Sequence, residues 1–345
     1  MRTRTRASAR STSSGASTPS PSAAVLIAPD SFKGTLTASE VVASVGRGFA
    51  AAGCEVDPCP VADGGEGTAE ALLAAVGGEE RTARAHDPLG REGDFGWVML
   101  ADGRAVVEVA SATGLHLVAE DERDPERATS AGTGELIAAA LAAGAREILV
   151  GVGGSATVDG GAGMLGALAA AGGTGDVPIV VLHDVTTPWE RAPAVFGPQK
   201  GATPAAVERL EARLDALAVE LPRDPRGVEA TGAAGGISGA LWGAHGARLA
   251  PGAAFVLEAV GFDARLARAR AVVTGEGRMD AQTLMGKIAG EVAVRARDAG
   301  VPCHAVVGKN DLDPRDARIL GLGQIVEAGD DAALETAGRE LAGLI

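Results

Sequence analysis

The basic residues of this chain are arginine almost throughout, and four lysines stand against that background: Lys33, Lys200, Lys287 and Lys309. Each touches a glycine, as Lys33-Gly34, Lys200-Gly201, Gly286-Lys287 and Gly308-Lys309. With 50 glycines in 345 residues, four such pairings out of four exceed what composition alone explains. An ammonium is a compact point charge that fits among backbone N–H groups on a phosphate or carboxylate oxygen, where a guanidinium fork is too wide. Lys33, Lys200 and Lys287 are therefore candidates for anion contact, while Lys309 has Asp311 and Asp313 close by. Acids occur in similar settings. In Asp63-Gly64-Gly65-Glu66-Gly67-Thr68, two carboxylates sit in a flexible loop at a helix start, which suits Mg²⁺ or a substrate hydroxyl. Helix N-capping explains one of those acids more readily than both.

The longest glycine stretch runs from Gly151 to Gly163. Glu147-Ile148-Leu149-Val150 before it reads as a buried parallel strand, and Met164–Ala171 after it reads as a helix. A loop in that position bares backbone N–H groups at a helix N-terminus, which attracts phosphate. Ser155 and Thr157 add hydroxyl donors, and Asp159 can hold a metal ion or orient a hydroxyl. A tight turn that needs glycine for packing is the competing explanation. Gly151 to Ala156 also fits the Gly-x-Gly-x-x-Gly/Ala dinucleotide fingerprint, so a nicotinamide-dependent oxidoreductase is a rival reading. A lone match of that kind is weak, and Asp176 lies in a glycine-rich turn before a strand rather than at a strand end.

The elements that position these residues repeat one pattern. A strand at 24–28 runs into Pro29-Asp30-Ser31-Phe32-Lys33-Gly34. Thr37 and Glu40 form a capping box for a helix to about Ala52. Ala69–Val76 is a helix stopped by Gly77-Gly78. Phe95–Leu100 and Arg104–Val109 read as a hairpin across Asp102-Gly103 in an antiparallel insert. Ile179–Leu182 is a strand leading to His183-Asp184, and Pro204–Leu221 is a helix. A strand ends at Thr274-Gly275-Glu276-Gly277-Arg278, and the helix after Thr283 is expected to run to Ala299, with Lys287 a few residues inside it. Strands at Cys303–Val307 and Gln324–Glu327 complete the series. Strands that end in glycine loops opening helices mean an α/β protein with parallel sheets, whose ligands sit beyond the carboxyl ends of the strands.

Bulk properties narrow the function classes. A chain of 345 residues can bury a large core and build two domains. A formal net charge of −14 argues against nucleic-acid or anionic-membrane partners, and 3% aromatic residues with no tyrosine argue against base-stacking platforms. No apolar run approaches the roughly 20 residues of a membrane helix. Three cysteines without metal-like spacing fit reduced thiols in the cytoplasm. Residues 1–22 are rich in Ser, Thr and Arg and lack an acid, so they read as a disordered tail, with an organellar transit peptide as the alternative.

Several blocks together, in order, resemble the class I glycerate kinases: Ala28-Pro29-Asp30-Ser31-Phe32-Lys33-Gly34, Ala62 to Thr68, Gly153-Gly154-Ser155-Ala156-Thr157, Phe196 to Ala202, and Thr274 to Arg278 with Asp280 and Gln282-Thr283. The resemblance runs from about Val25 to near the C-terminus. It implies ATP- and Mg²⁺-dependent phosphorylation of D-glycerate to 2-phosphoglycerate. It also implies a flavodoxin-like parallel-sheet domain (23–75 plus 265–345) with a second α/β domain (76–264) inserted in it and the active site between them. The oligomeric state is left open.

Phosphoryl transfer needs phosphates held, charge neutralised and a hydroxyl aligned. On that basis Lys33, Lys200 and Lys287 neutralise the transferring group or the substrate carboxylate, and Asp184 and Asp280 are candidate bases. Asp63, Glu66 and Glu276 are candidate Mg²⁺ ligands. Asp30, Ser31, Gly64, Gly65, Gly154, Ser155, Thr157, Asp159, Arg278, Gln282 and Thr283 are expected to cradle phosphate or substrate. The chain departs from the family at Val158, where Asn is usual, at His183, where Cys is usual, and at Trp189-Glu190-Arg191, near the place of a missing glycine turn. These departures are expected on one side of the cleft, and they keep a second alternative in view, a paralogue that binds a nucleotide or metabolite with altered catalysis.

Overall fold

A computed structural model describes residues 23–32 and 34–345; the tail at 1–22 and Lys33 lie outside the described residues. The strands are β1 (Val25–Pro29), β2 (Val56–Pro58), β3 (Gly78–His86), β4 (Glu92–Leu100), β5 (Arg104–Glu108), β6 (Glu147–Gly151), β7 (Ile179–His183), β8 (Arg248–Pro251), β9 (Ala271–Met279), β10 (Cys303–Asn310) and β11 (Leu322–Glu327). They form two sheets. The first has the order β11-β10-β9-β1-β2 and is parallel throughout. Ranked by position in the sequence, that order is 5-4-3-1-2, the doubly wound order of flavodoxin-like folds.

Apolar residues alternate between the two faces of this sheet. Leu26, Ala28, Val272, Ala305 and Val307 enter one core, while Val25, Ile27, Val273 and Val306 enter the other. Burial on both faces is why these strands read as continuous apolar runs.

The second sheet has the order β3-β4-β5-β6-β7-β8. Its first three strands are antiparallel and the rest parallel. All six lie between β2 and β9 in the chain, so the second sheet is built from sequence that interrupts the first. The helix Gly252–Ala259 touches both layers: Ala253, Val256 and Leu257 join the first sheet's core, and Phe255 and Ala259 pack beside the second's.

Local chemistry accounts for most boundaries. The Thr37 hydroxyl accepts from the Glu40 N–H at 3.2 Å while Glu40 Oε2 accepts from the Thr37 N–H at 2.8 Å, closing the capping box before the helix Ala38–Ala51. Two expectations change. β3 escapes a reading by apolar periodicity because Glu79, Glu80, Arg81 and Arg84 stud it, as befits an edge strand that repels further pairing. The helix expected after Thr283 is two pieces: a tight turn at Ala281–Met285, then a helix at Ile288–Asp298 that Lys287 precedes as its cap. Gly286 joins them at φ +99° with open space where a side chain would stand, so its glycine serves a left-handed joint.

Candidate active site

In a doubly wound sheet, ligands settle beyond the carboxyl ends of the strands where the order reverses. Here the reversal falls between β1 and β9, which pair in register as Ala28 with Thr274 and Pro29 with Gly275. A cleft of about 500 Å³ opens at that point. Asp30 and Ser31 enter it from the end of β1, Asp63 from the loop after β2, and Glu276 and Arg278 from the end of β9. Lys287 and Lys309 complete its charged lining. Among the described residues, three cations and three carboxyl groups from distant parts of the chain thus meet at one strand-end crevice.

The best-defined contacts lie on the β9 side. Glu276 is buried, with Oε1 accepting from the Thr283 hydroxyl at 2.7 Å and Oε2 facing the Lys287 ammonium at 3.4 Å. Burial pushes the Glu276 carboxyl above its ordinary range, while Thr283 and Lys287 pull the other way. Asp280 is occupied as a cap: Oδ1 accepts from the Gln282 N–H at 2.9 Å, and its own N–H donates to the Thr283 hydroxyl at 3.2 Å. At the mouth, Asp311 Oδ2 lies 2.8 Å from Arg278 and 3.2 Å from Lys309. The adjacent carboxylate Asp30 holds the Ser31 N–H at 2.7 Å, and Asp63 holds the Gly65 N–H at 3.1 Å.

The glycine loops have a use beyond ligand contact. A Cβ on Gly64, where φ is +96°, would stand 2.8 Å from Gly252 Cα and 3.0 Å from the Leu182 carbonyl carbon. A Cβ on Gly153 would stand 2.8 Å from Gly65 Cα. Backbone therefore packs on backbone where the loop after β2 meets the loop after β6, which fixes the two sheets against each other beside the cleft.

The remainder of the central glycine stretch turns inward. Asp159 is 1% exposed: Oδ2 accepts from the Ser130 N–H at 2.9 Å and hydroxyl at 2.7 Å, and Oδ1 accepts from the Gly161 N–H at 2.9 Å. The Thr157 hydroxyl donates to the Ala128 carbonyl at 2.6 Å. Lys200, 3% exposed, donates to the Ser155 hydroxyl and to the Thr157 carbonyl, both at 2.7 Å. Burial pulls the Lys200 ammonium down to about 7, against the opposing charge of Asp159. Lys200, Ser155, Thr157 and Asp159 form an internal brace that ties the loop after β6 to the turn at Pro198–Lys200. None of them lines the cleft.

Of the residues singled out from sequence, the cleft gathers Asp30, Ser31, Asp63, Glu276, Arg278 and Lys287. Thr283 and Asp280 support it from behind. Asp184 is exposed just beyond the end of β7, and neither it nor Asp280 lines this cleft. Glu66 opens instead onto a neighbouring cavity, apart from Asp63 and Glu276. Gly64 and Gly65 are packing positions, and Gly154 and Gln282 are exposed outside the cleft lining.

The departures at Val158 and Trp189 also belong elsewhere. Both are fully buried in one apolar cluster with Leu210 and Leu214, and Trp189 Nε1 donates to the Leu214 carbonyl at 3.0 Å. Neither they nor His183 lines the cleft.

Lys309 belongs to the cleft, although its neighbouring acids argued otherwise; register places it beside Arg278 on the adjacent strand. Glu108 had no motif to mark it. It ends β5 and accepts from the Ala69 N–H at 2.8 Å, at the N-terminus of the helix Thr68–Val76, and burial pushes its carboxyl up to about 7. A carboxylate at a strand end is its single sequence signal.

Comparison with known proteins gives the same answer at every level. The profile of the glycerate kinase family matches residues 25–172 and 171–342. The chain is 39% identical to glycerate 2-kinase of Escherichia coli K12, covering 82% of this chain and 84% of that protein. It is 40% identical to glycerate kinase of Bacillus subtilis 168, covering 84% and 86% respectively. A crystal structure described as glycerate kinase 2 from Salmonella typhimurium LT2 superposes with a TM-score of 0.77 at 35% identity, covering 93% of this chain and 97% of that one. The oxidoreductase reading falls with these matches, since its fingerprint loop is the one packed against Gly65. A doubly wound sheet with a charged crevice at its switch point, a second sheet set into it, and matches along nearly its whole length make this chain a member of the glycerate kinase family.

Proposed function

We propose that this protein is a glycerate kinase that transfers the terminal phosphoryl group of ATP to D-glycerate, giving 2-phosphoglycerate. One observation carries the reading: Lys287, Lys309 and Arg278 line one cleft together with Asp30, Asp63 and Glu276 at the switch point. The cations bind and neutralise anions, and the carboxylates supply what the cations do not. We treat 23–75 with 265–345 as one domain and 76–264 as its insertion, with the cleft beside their junction. All six strands of the second sheet fall within the insertion, which supports that division.

Transfer proceeds by positioning and electrostatics more than by covalent help from the protein. Lys287 takes a phosphate oxygen, and Glu276 with Thr283 sets the angle from which its ammonium approaches. Arg278 and Lys309, held at the mouth by Asp311, meet the substrate carboxylate or the outer phosphates. Asp30 orients the acceptor hydroxyl.

Among the described residues no three carboxylates, histidines or cysteines stand together as a ready metal cage. Mg²⁺ fits the cleft without one, because it is held by one or two carboxylates together with substrate phosphates and water. Asp63 is the protein oxygen donor we assign to it, and the ion would supply charge neutralisation on the phosphates. We place the reaction in the cytoplasm on the three unbridged cysteines, Cys54, Cys59 and Cys303. No helix among the described residues is long and apolar enough to cross a membrane.

The test is a coupled assay in which ATP is consumed only when D-glycerate and Mg²⁺ are both present. Phosphorus NMR of the product then assigns the phosphate to C2 or C3. Folded protein without glycerate-dependent turnover would leave the paralogue with altered catalysis as the better reading.

A further inference from the structure

A second cavity, of about 520 Å³, adjoins the cleft and shares Ser31 and Thr35 with it. Its floor is one face of β3, β4 and β5. Glu80, Thr82, Gly96, Val98, Val106 and Glu108 alternate along those strands, with Thr82 opposite Gly96 and Val98 opposite both Glu80 and Val106. Around that floor, the start of the helix Ala38–Ala51 and the turn into the helix Thr68–Val76 add Glu40, Glu66 and Glu70. The lining cation, Arg81, is ion-paired with Glu79 and lies over the Trp97 ring at 5.6 Å.

Among the described residues, charge therefore divides between the adjoining spaces: the cleft carries three cations and three carboxyl groups, whereas the second cavity carries five carboxyl groups and one engaged arginine. Both reactants of a kinase acting on an organic acid are anionic at their reacting ends. The carboxylates of Glu40, Glu66, Glu70 and Glu80 repel a polyphosphate and a substrate carboxylate alike. The nucleoside is the neutral portion. Its hydroxyls and exocyclic amine donate hydrogen bonds that carboxylates accept, and its flat base fits over the exposed stretch of floor at Thr82 and Gly96. A cavity of this size lies in the range that encloses a ligand of that kind. We propose that the second cavity takes the base and ribose of the phosphate donor, with the phosphates passing Ser31 and Thr35 into the cleft. The proposal rests on the phosphoryl-transfer reading above and names the donor's half of that site.

Gly96 offers a clean test. A Cβ there would meet only the Arg81 carbonyl oxygen, at 3.9 Å, and its backbone is not left-handed, so a side chain can start from this position and project into the cavity that Gly96 lines. ADP and inorganic tripolyphosphate are titrated by calorimetry into the wild-type protein and Gly96→Leu, without glycerate. ADP affinity is expected to fall at least tenfold in the variant while tripolyphosphate binds both proteins alike, with thermal stability maintained. In turnover, KM for ATP should rise with KM for D-glycerate unchanged. Equal ADP affinity in both proteins, no ADP binding by the wild type, or a rise confined to the glycerate KM overturns the proposal. A wild type that binds ADP with the expected dependence on Gly96 but shows no glycerate-dependent turnover overturns the kinase reading and leaves the donor pocket standing.

Discussion

The ammonium of Lys287 stands 3.4 Å from Oε2 of Glu276, whose other oxygen accepts the Thr283 hydroxyl. The lysine caps a helix from its first position outside and reaches back to a carboxylate at the end of β9. Its side chain is 27% exposed, so the pair faces the cleft rather than sitting sealed within the fold. A compact cation is thereby aimed at the crevice by a buried counter-charge.

That geometry predicts the effect of changing shape at constant charge. Lys287→Arg should lower kcat/KM at least ~100-fold, or about 2.7 kcal/mol in transition-state terms, because the broader head group displaces Glu276 or the phosphate. Folding stability should change little, since the substitution keeps a cation beside the buried Glu276 carboxylate. Arg297→Lys, outside the cleft and paired with Asp298, is the control for activity. Near-normal kcat/KM in both variants would remove Lys287 from the phosphate site.

Gly153 distinguishes packing from phosphate cradling. Gly153→Ala places a Cβ 2.8 Å from Gly65 Cα, where backbone faces backbone and neither can swing aside. Urea denaturation should show a loss of about 1–3 kcal/mol, typical of overpacking. If the glycine served only to admit a phosphate, the variant would keep its stability and show a higher KM for ATP.

The buried titrating groups give opposite pH signatures. Glu108 keeps its proton up to about 7 in the fold against an ordinary 4.5, so its contribution is fully present below pH 4.5 and lost as pH rises through about 7. The difference corresponds to about 3 kcal/mol. The Tm of Glu108→Gln minus that of the wild type should therefore increase between pH 4.5 and 8. Lys200 loses its proton near 7 in the fold against 10.5 when unfolded, so in that interval the unfolded chain binds more protons and stability rises with pH. The Tm of the wild type should gain on that of Lys200→Met from pH 7 to 10. A flat difference in either series would show that the group titrates alike in folded and unfolded chains.

The sequence exposed the pattern of strand, glycine loop and helix because parallel strands buried on both faces leave an uninterrupted apolar signal, as in Val25 to Ala28. It exposed Thr37 and Glu40 because a capping box is local. Much of the cleft was legible too, since Asp30, Asp63, Glu276 and Lys287 lie at or just beyond loops that follow strands. What escaped was direction. Asp159 and Lys200 share the composition of ligand-binding residues, but only tertiary contact turns them toward Ser130, Ser155 and Thr157. Glycine composition likewise does not separate a loop that admits a phosphate from one that admits another backbone, and Gly64 and Gly153 are of the second kind. Glu108 needed the inserted sheet to be set beside the helix Thr68–Val76 before its position acquired meaning.

Val158 and Trp189 give the last prediction, because two departures from the family pattern meet in one cluster. Val158 is fully buried beside Trp189, Leu210 and Leu214, and the indole N–H is already satisfied by the Leu214 carbonyl. The Trp189 ring also lies against Gly160, Gly236 and Gly239, where an added Cβ would stand 3.1, 3.1 and 2.4 Å away, so the ring fills its space. Val158→Asn restores the residue usual in the family, yet here it puts an amide into apolar surroundings. Burying an amide without a hydrogen-bond partner costs about 1–3 kcal/mol by the measure of protein mutants. Urea denaturation should show that loss with the cleft's KM values unchanged, since no member of the cluster lines the cleft. Equal stability of Val158→Asn and the wild type would mean that the amide finds a partner among these residues and that the two departures are independent.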